Sequence, residues 1–193
     1  MFNTETEIRW KEINIKDWEL IINFRPKSSD IKEITDILVK FTSLKRITLN
    51  WIKLTDIELE ALSDSLFLNW VLENINLSFN NISWENINKF LKYISSSKSI
   101  KSFNLSFNTI TNEWIKNILN NIQENNSIES LNLYENNFSI KEIKMITEYV
   151  LSHNDIKTVY INDHNFWLSI IPYLENIEKN KNTRVLSMNC LIW

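Results

Sequence analysis

Leu72-Glu73-Asn74-Ile75-Asn76-Leu77-Ser78-Phe79-Asn80 and Ile100-Lys101-Ser102-Phe103-Asn104-Leu105-Ser106-Phe107-Asn108 are one pattern written twice, 28 residues apart. Its apolar skeleton returns at the same interval as Leu44/Ile47/Leu49, Ile128/Leu131/Leu133 and Ile156/Val159/Ile161. Alternating apolar and polar residues over so short a stretch predict a strand with one buried face. A fixed period of this length predicts a stacked repeat, because one such unit cannot bury its own apolar face. Asn80, Asn108 and Asn136 follow three of the strands, and behind them come Ile82, Ile110 and Phe138.

A second column sits at the same interval. Thr55, Ser83, Thr111 and Ser139 fall just past the last consensus apolar residue, where a hydroxyl can accept from the free N–H groups of a first helical turn. Thr55 with Glu58, and Ser139 with Glu142, have the spacing of a capping box. Behind the caps, Ile87, Phe90, Leu91 and Ile94, then Ile115, Ile118, Leu119 and Ile122, share one helical face. Each repeat therefore reads as strand, turn and helix.

Taken together these columns resemble the leucine-rich repeat, and the length of the unit with its full helix resembles the ribonuclease-inhibitor-like subclass. The resemblance covers nearly the whole chain. It implies an α/β leucine-rich-repeat solenoid, a curved horseshoe with parallel strands on the concave side and helices on the convex side. It also implies a protein that works by binding other proteins, and it makes the Asn column a structural ladder serving the backbone of neighbouring turns. Ile52 and His164 replace Asn in the outer repeats, and the chain contains no Gly. Asn tolerates the left-handed conformation that ends many helices, and Asn125, Asn126 and Asn154 are expected in that role.

The same ruler places the ends. Residues 1–16, with Ile8, Trp10, Ile13 and Ile15, are expected to form an N-terminal capping segment. Residues 17–182 hold the repeats, beginning with a weaker one: strand residues Leu20 and Ile22, then Asp30 capping a helix that buries Ile34, Ile37, Leu38 and Phe41. In the last full repeat Ser169 is the expected cap, which makes Pro172 an early helical residue. Residues 183–193 supply a terminal strand at Leu186 and Met188 and the end of the chain.

With 193 residues, 44% hydrophobic and 23% charged, the composition is that of a globular domain with one core. No apolar stretch approaches the roughly 18 residues of a membrane span, and a net charge of −3 without a basic run argues against nucleic acid. Cys190 stands alone, so no internal disulfide is expected. Met1 to Glu7 lack the apolar run of a signal peptide. Cytoplasmic placement is the expectation, in the producing cell or in a host cell if the protein is delivered there. Heavy use of Lys, Ile and Asn reads as an AT-rich genome and carries no chemistry.

Between the buried strand positions, the open face presents three rows: Arg46, Asn74, Ser102, Ser130, Thr158; Thr48, Asn76, Asn104, Asn132, Tyr160; and Asn50, Ser78, Ser106, Tyr134, Asn162. The next row, at the strand ends, reads Trp51, Phe79, Phe107, Glu135, Asp163. Large aromatics in line on a solvated rim beside polar contacts have the composition of a binding hot spot. The candidate partner-binding set is Arg46, Trp51, Asn76, Phe79, Asn104, Phe107, Asn132, Tyr134 and Tyr160. The competing reading folds the three aromatic rings of the rim over the turn as the edge of the core. Trp70, Trp84 and Trp114 are expected to fill the core or the seams between helices.

Catalysis finds little support. A phosphate-cradling Gly loop is impossible without Gly. His153, His164 and Cys190 lie in different elements, so neither a zinc site nor a nucleophile with its base is assembled. No cofactor, metal or catalytic residue is expected. Two classes of function remain: a monomeric, non-enzymatic interaction module that grips a protein of unknown identity, or a structural or regulatory repeat with no dedicated partner at this face. A terminal strand near Trp193 would allow the second to self-associate.

Overall fold

The computed structural model describes residues 14–16, 18–22, 28–52, 54–82, 87–123, 125–153, 155–161, 175 and 184–187. Strands β1 (Asn14–Lys16) and β2 (Glu19–Ile22) precede helix α1 (Ser28–Lys40). Then β3 (Arg46–Leu49), α2 (Asp56–Leu66), β4 (Asn74–Asn76), α3 (Ile87–Ser96), β5 (Ser102–Asn104), α4 (Asn112–Ile122), β6 (Ser130–Asn132), α5 (Ile140–Ser152) and β7 (Thr158–Ile161) alternate, and β8 (Arg184–Ser187) closes the order.

The strands form one sheet in chain order. β1 pairs antiparallel with β2, and every later neighbour is parallel. The register follows the sequence period: Ile47 lies beside Ile75, Ile75 beside Phe103, Phe103 beside Leu131 and Leu131 beside Val159. A slip of one residue would turn these side chains to solvent, so the apolar skeleton itself holds the register. The helices pack in the same order, α1 on α2 through to α5. Among the described residues, one buried cluster joins the inward strand residues to the helix faces built from Ile87, Phe90, Leu91 and Ile94 and from Ile115, Ile118, Leu119 and Ile122.

The helix starts explain their own positions. At Thr55 and Ser139 both halves of the capping box form, and the Glu58 and Glu142 carboxylates accept from the cap backbone N–H at 2.8 Å. Those contacts satisfy donors that the first turn leaves orphaned. Thr111 occupies the cap of α4 without a side-chain bond. Asp30 does not cap α1, because the helix begins earlier, at Ser28.

Three further expectations are corrected. Asn125 and Asn126 are not left-handed; the helix ends that show a cap at Phe67 and Gln123 stay right-handed. Asn125 instead is buried and sends its amide to the Ile94 and Ser97 carbonyls of the preceding repeat. Trp114 is buried as expected, whereas Trp70 is 83% exposed, beside Phe67, Leu68 and Val71, which are also solvent-accessible. Ser78 and Ser106, placed on the open face by alternation, are buried at the strand ends where the chain turns. Ser83, Trp84, Asn154, Asn162, Asp163, His164, Ser169, Pro172, Met188, Cys190, Trp193 and residues 1–13 lie outside the described residues.

Candidate functional site

The strands end in two adjacent columns with opposite character. Asn80, Asn108 and Asn136 are buried. Each amide spans two repeats: Asn108 donates from Nδ2 to the Leu77 and Leu105 carbonyls at 3.1 and 3.0 Å, and its Oδ1 accepts from the Asn80 and Ile82 N–H groups at 3.2 Å. Asn80 joins the Leu49 carbonyl to the Ile52 N–H, and Asn136 joins the Leu105 carbonyl to the Ile110 N–H. Buried backbone groups that the turn removes from the sheet ladder must find partners, and this column supplies them. Ile52, in the same column, has no amide to offer; its own N–H is taken up by Asn80.

One residue earlier the backbone turns left-handed at the four turns that are described, with φ of 63° at Trp51, 60° at Phe79, 53° at Phe107 and 53° at Glu135. Bulky side chains rarely occupy this region, and each such residue costs on the order of 1–2 kcal/mol. The local geometry is fixed from both sides. Asn76, Asn104 and Asn132 accept from the N–H two residues on, at Ser78, Ser106 and Tyr134, at 3.0, 2.9 and 3.0 Å. The ladder then runs on into the turn, where Phe79 and Phe107 donate to the Ser106 and Tyr134 carbonyls at 3.2 and 2.9 Å.

The rings borne by these turns make a continuous stack. Trp51 and Phe79 lie 4.3 Å apart at 16°, Phe79 and Phe107 4.0 Å apart at 11°, and Tyr134 meets Phe107 edge-on at 5.5 Å. Stacking has not hidden them: Trp51 remains 55% and Phe107 40% exposed. The faces of the inner rings are covered by one another, so what the rim offers a partner is a row of ring edges, the positive part of an aromatic quadrupole. Partial burial, then the hydrogen bond and charge of neighbouring Glu135, push the Tyr134 phenol up.

The predicted set is thus divided. Trp51, Phe79, Phe107 and Tyr134 come together in the stack, while Asn76, Asn104 and Asn132 are half-buried and shape the turn beneath it. Arg46 is exposed at the start of β3, two residues before the Thr48 row, and Tyr160 stands half-buried on β7. Sequence reasoning overlooked the opposite edge of the sheet, where Lys45, Glu73, Lys101, Glu129 and Lys157 alternate in sign at the repeat interval. Lys101 pairs with Glu73 at 3.3 Å and Lys157 with Glu129 at 2.7 Å. Reading that one extra column at the same period would have found it.

Among the described residues no group of three or more His, Cys, Asp and Glu is gathered as metal ligands, and no helix is long and apolar enough to cross a membrane.

No family model matches the chain, and no curated protein matches it in sequence. Solved structures do match in shape. One is the leiomodin-1 actin-binding site 2, at TM-score 0.63 and 16% identity over 80% of this chain and 90% of that one. Another is the C-terminal domain of tropomodulin from Caenorhabditis elegans, at TM-score 0.62 and 17% identity over 78% and 94%. The chain has their leucine-rich-repeat-like α/β fold.

Proposed function

We propose that this chain is a non-enzymatic protein-interaction module that grips its partner along the aromatic rim of Trp51, Phe79, Phe107 and Tyr134. The observation that carries the reading is the left-handed column. A rim needing positive φ is served at least cost by Gly or Asn. The chain has no Gly but is rich in Asn, and it places Asn one position later while aromatic rings take the strained one. Strain of this kind gathers where the side chain's placement matters for function.

The same proposal covers the finer architecture: a ribonuclease-inhibitor-like horseshoe whose N-terminal segment, residues 1–16, closes one end. The partner set extends to Arg46, Asn76, Asn104, Asn132 and Tyr160, with the protein acting as a cytoplasmic monomer. Actin is the partner to try first, because the leiomodin-1 domain of like fold carries an actin-binding site. The alternating column of three Lys and two Glu offsets most of its own charge, so the open face favours a partner held by apolar and hydrogen-bond contacts.

A second reading, a structural repeat without a dedicated partner that can pair with itself, is favoured by the stacking of the rings on one another, which buries part of each. Co-sedimentation and gel filtration with purified monomeric and filamentous actin separate the readings. The binding reading expects wild type to associate and a folded Phe79→Ala/Phe107→Ala/Tyr134→Ala variant to bind at least about tenfold more weakly, as loss of hot-spot anchors does. No association by wild type removes actin. Equal association by the variant removes the rim.

A further inference from the structure

The column that carries the rings changes chemistry once. It runs Trp51, Phe79, Phe107 and then Glu135, and all four take the left-handed backbone state. Across the turns at 48–52, 76–82, 104–110 and 132–138, Glu135 is the one charged residue. Asn tolerates this backbone state better than Glu does, and Asn81 adopts it with φ of 49°. A carboxylate is therefore held at one end of the row of rings, at the same backbone cost as the rings themselves.

Its neighbour ties it to the stack. The Tyr134 phenol donates to the Glu135 carboxylate, and the Tyr134 ring meets Phe107 edge-on, which turns the faces of Tyr134 aside from the other rings. Both residues are half-buried. Trp51 follows β3 and Glu135 follows β6, so three strand spacings, about 14 Å, separate the ends of the row. A partner lying along the rings as far as Tyr134 covers the acid as well. Taking a carboxylate out of water is costly unless an opposite charge comes with it. Those turns contain no basic residue to supply one, so the partner brings it.

We propose that the rim takes a protein segment whose apolar side chains lie against Trp51, Phe79 and Phe107 and whose Arg or Lys pairs with Glu135 beside the Tyr134 ring. The pairing rests on the rim being the binding face and adds the chemistry of the partner. Arg suits the position better than Lys, because guanidinium gives two parallel N–H groups to one carboxylate and stacks on an aromatic face. The charge stands at one end of the row, so it fixes which way the segment lies. Rings alone would accept either direction, and an acidic segment is repelled.

The probe is a displayed library of random peptides of about twelve residues, long enough to cover the row whether extended or helical. It is selected in parallel on wild type, on Glu135→Lys and on Phe79→Ala/Phe107→Ala. Wild type is expected to enrich peptides that join apolar residues to Arg or Lys, and the ring variant to lose that enrichment. Peptides chosen by wild type are expected to bind Glu135→Lys at least about tenfold more weakly. Selection on Glu135→Lys itself is expected to keep the apolar residues and exchange Arg and Lys for Asp and Glu. Apolar enrichment without a basic preference, or a basic preference that Glu135→Lys leaves intact, overturns the pairing and leaves the rim as a binding face. Selection that the ring variant reproduces, or none on wild type, overturns the rim and the pairing together. Should Glu135→Lys not fold, Glu135→Gly replaces it, since Gly holds the left-handed state without strain; a basic preference unchanged on Glu135→Gly overturns the pairing.

Discussion

The asparagine ladder and the aromatic ladder stand one residue apart, obey the same period and were built by the same turn, yet they do different things. Asn80, Asn108 and Asn136 are buried and saturated with hydrogen bonds across repeats. Trp51, Phe79 and Phe107 sit in a strained backbone state, touch chiefly each other and stay in contact with solvent. The fold depends on the first column, since its amides take up backbone groups of those turns in two repeats at once. On the proposed reading the rings of the second serve a partner instead. Periodicity alone therefore does not separate structure from function; the separation comes from asking which column the backbone depends on.

That contrast can be broken by mutation. The largest effect belongs to Asn108→Ala, which strips partners from buried groups of two repeats at once. At about 1–3 kcal/mol for each buried group left unsatisfied, denaturant unfolding is expected to lose about 4 kcal/mol or more, and a loss below about 1 kcal/mol would dissolve the distinction between the columns. Phe79→Ala with Phe107→Ala comes next on stability. It forfeits stacking worth about 0.5–1.5 kcal/mol per aromatic pair and leaves the half-exposed rim without a cavity behind it, so the expected cost is about 2 kcal/mol.

A smaller and opposite effect sharpens the picture. Glu135→Gly relieves a left-handed residue of its Cβ, worth on the order of 1 kcal/mol, against the lost interaction with Tyr134. Unfolding midpoints are expected to rise slightly or hold. A clear fall would mean the left-handed column is not strained. Smallest of all is Lys101→Glu, which sets a carboxylate between Glu73 and Glu129; the exposed pair is worth up to about 1 kcal/mol, and the loss should fade as salt is raised.

Much of the fold was legible because it rests on burial, which the sequence writes as period. The strand skeleton, the helix faces and the capping boxes at Thr55 and Ser139 all follow from which residues must leave water and which donors must be capped. The misses share another cause. Asp30 and Asn125 were read from local propensity, which the structure does not follow: α1 already begins at Ser28, and the Asn125 amide is drawn to the end of a neighbouring helix. Trp70, which precedes a strand and was expected in the core or a seam, stands in solvent.

The candidate rim was legible as a row of residue types but not as a stack. Ring contact between residues 28 apart depends on the left-handed turn, and aromatic side chains give no sequence signal for that backbone state. Tyr134 illustrates the gap. Alternation assigned it to the third row of the open face, with Asn50, Ser78 and Ser106, whereas its ring lies against Phe107 of the rim. The contacts of His153 with the Tyr149 and Gln123 carbonyls were hidden for a related reason, because no side-chain motif announces a backbone partner.

The most direct test of the account sets two variants side by side in equilibrium denaturant unfolding: Asn108→Ala and the rim variant Phe79→Ala/Phe107→Ala/Tyr134→Ala. The account predicts that the rim variant folds cooperatively and keeps all but about 2–3 kcal/mol of the wild-type stability, while Asn108→Ala loses more with a single substitution. A rim variant that unfolds, or that costs more than Asn108→Ala, would contradict it and return the aromatic ladder to the core.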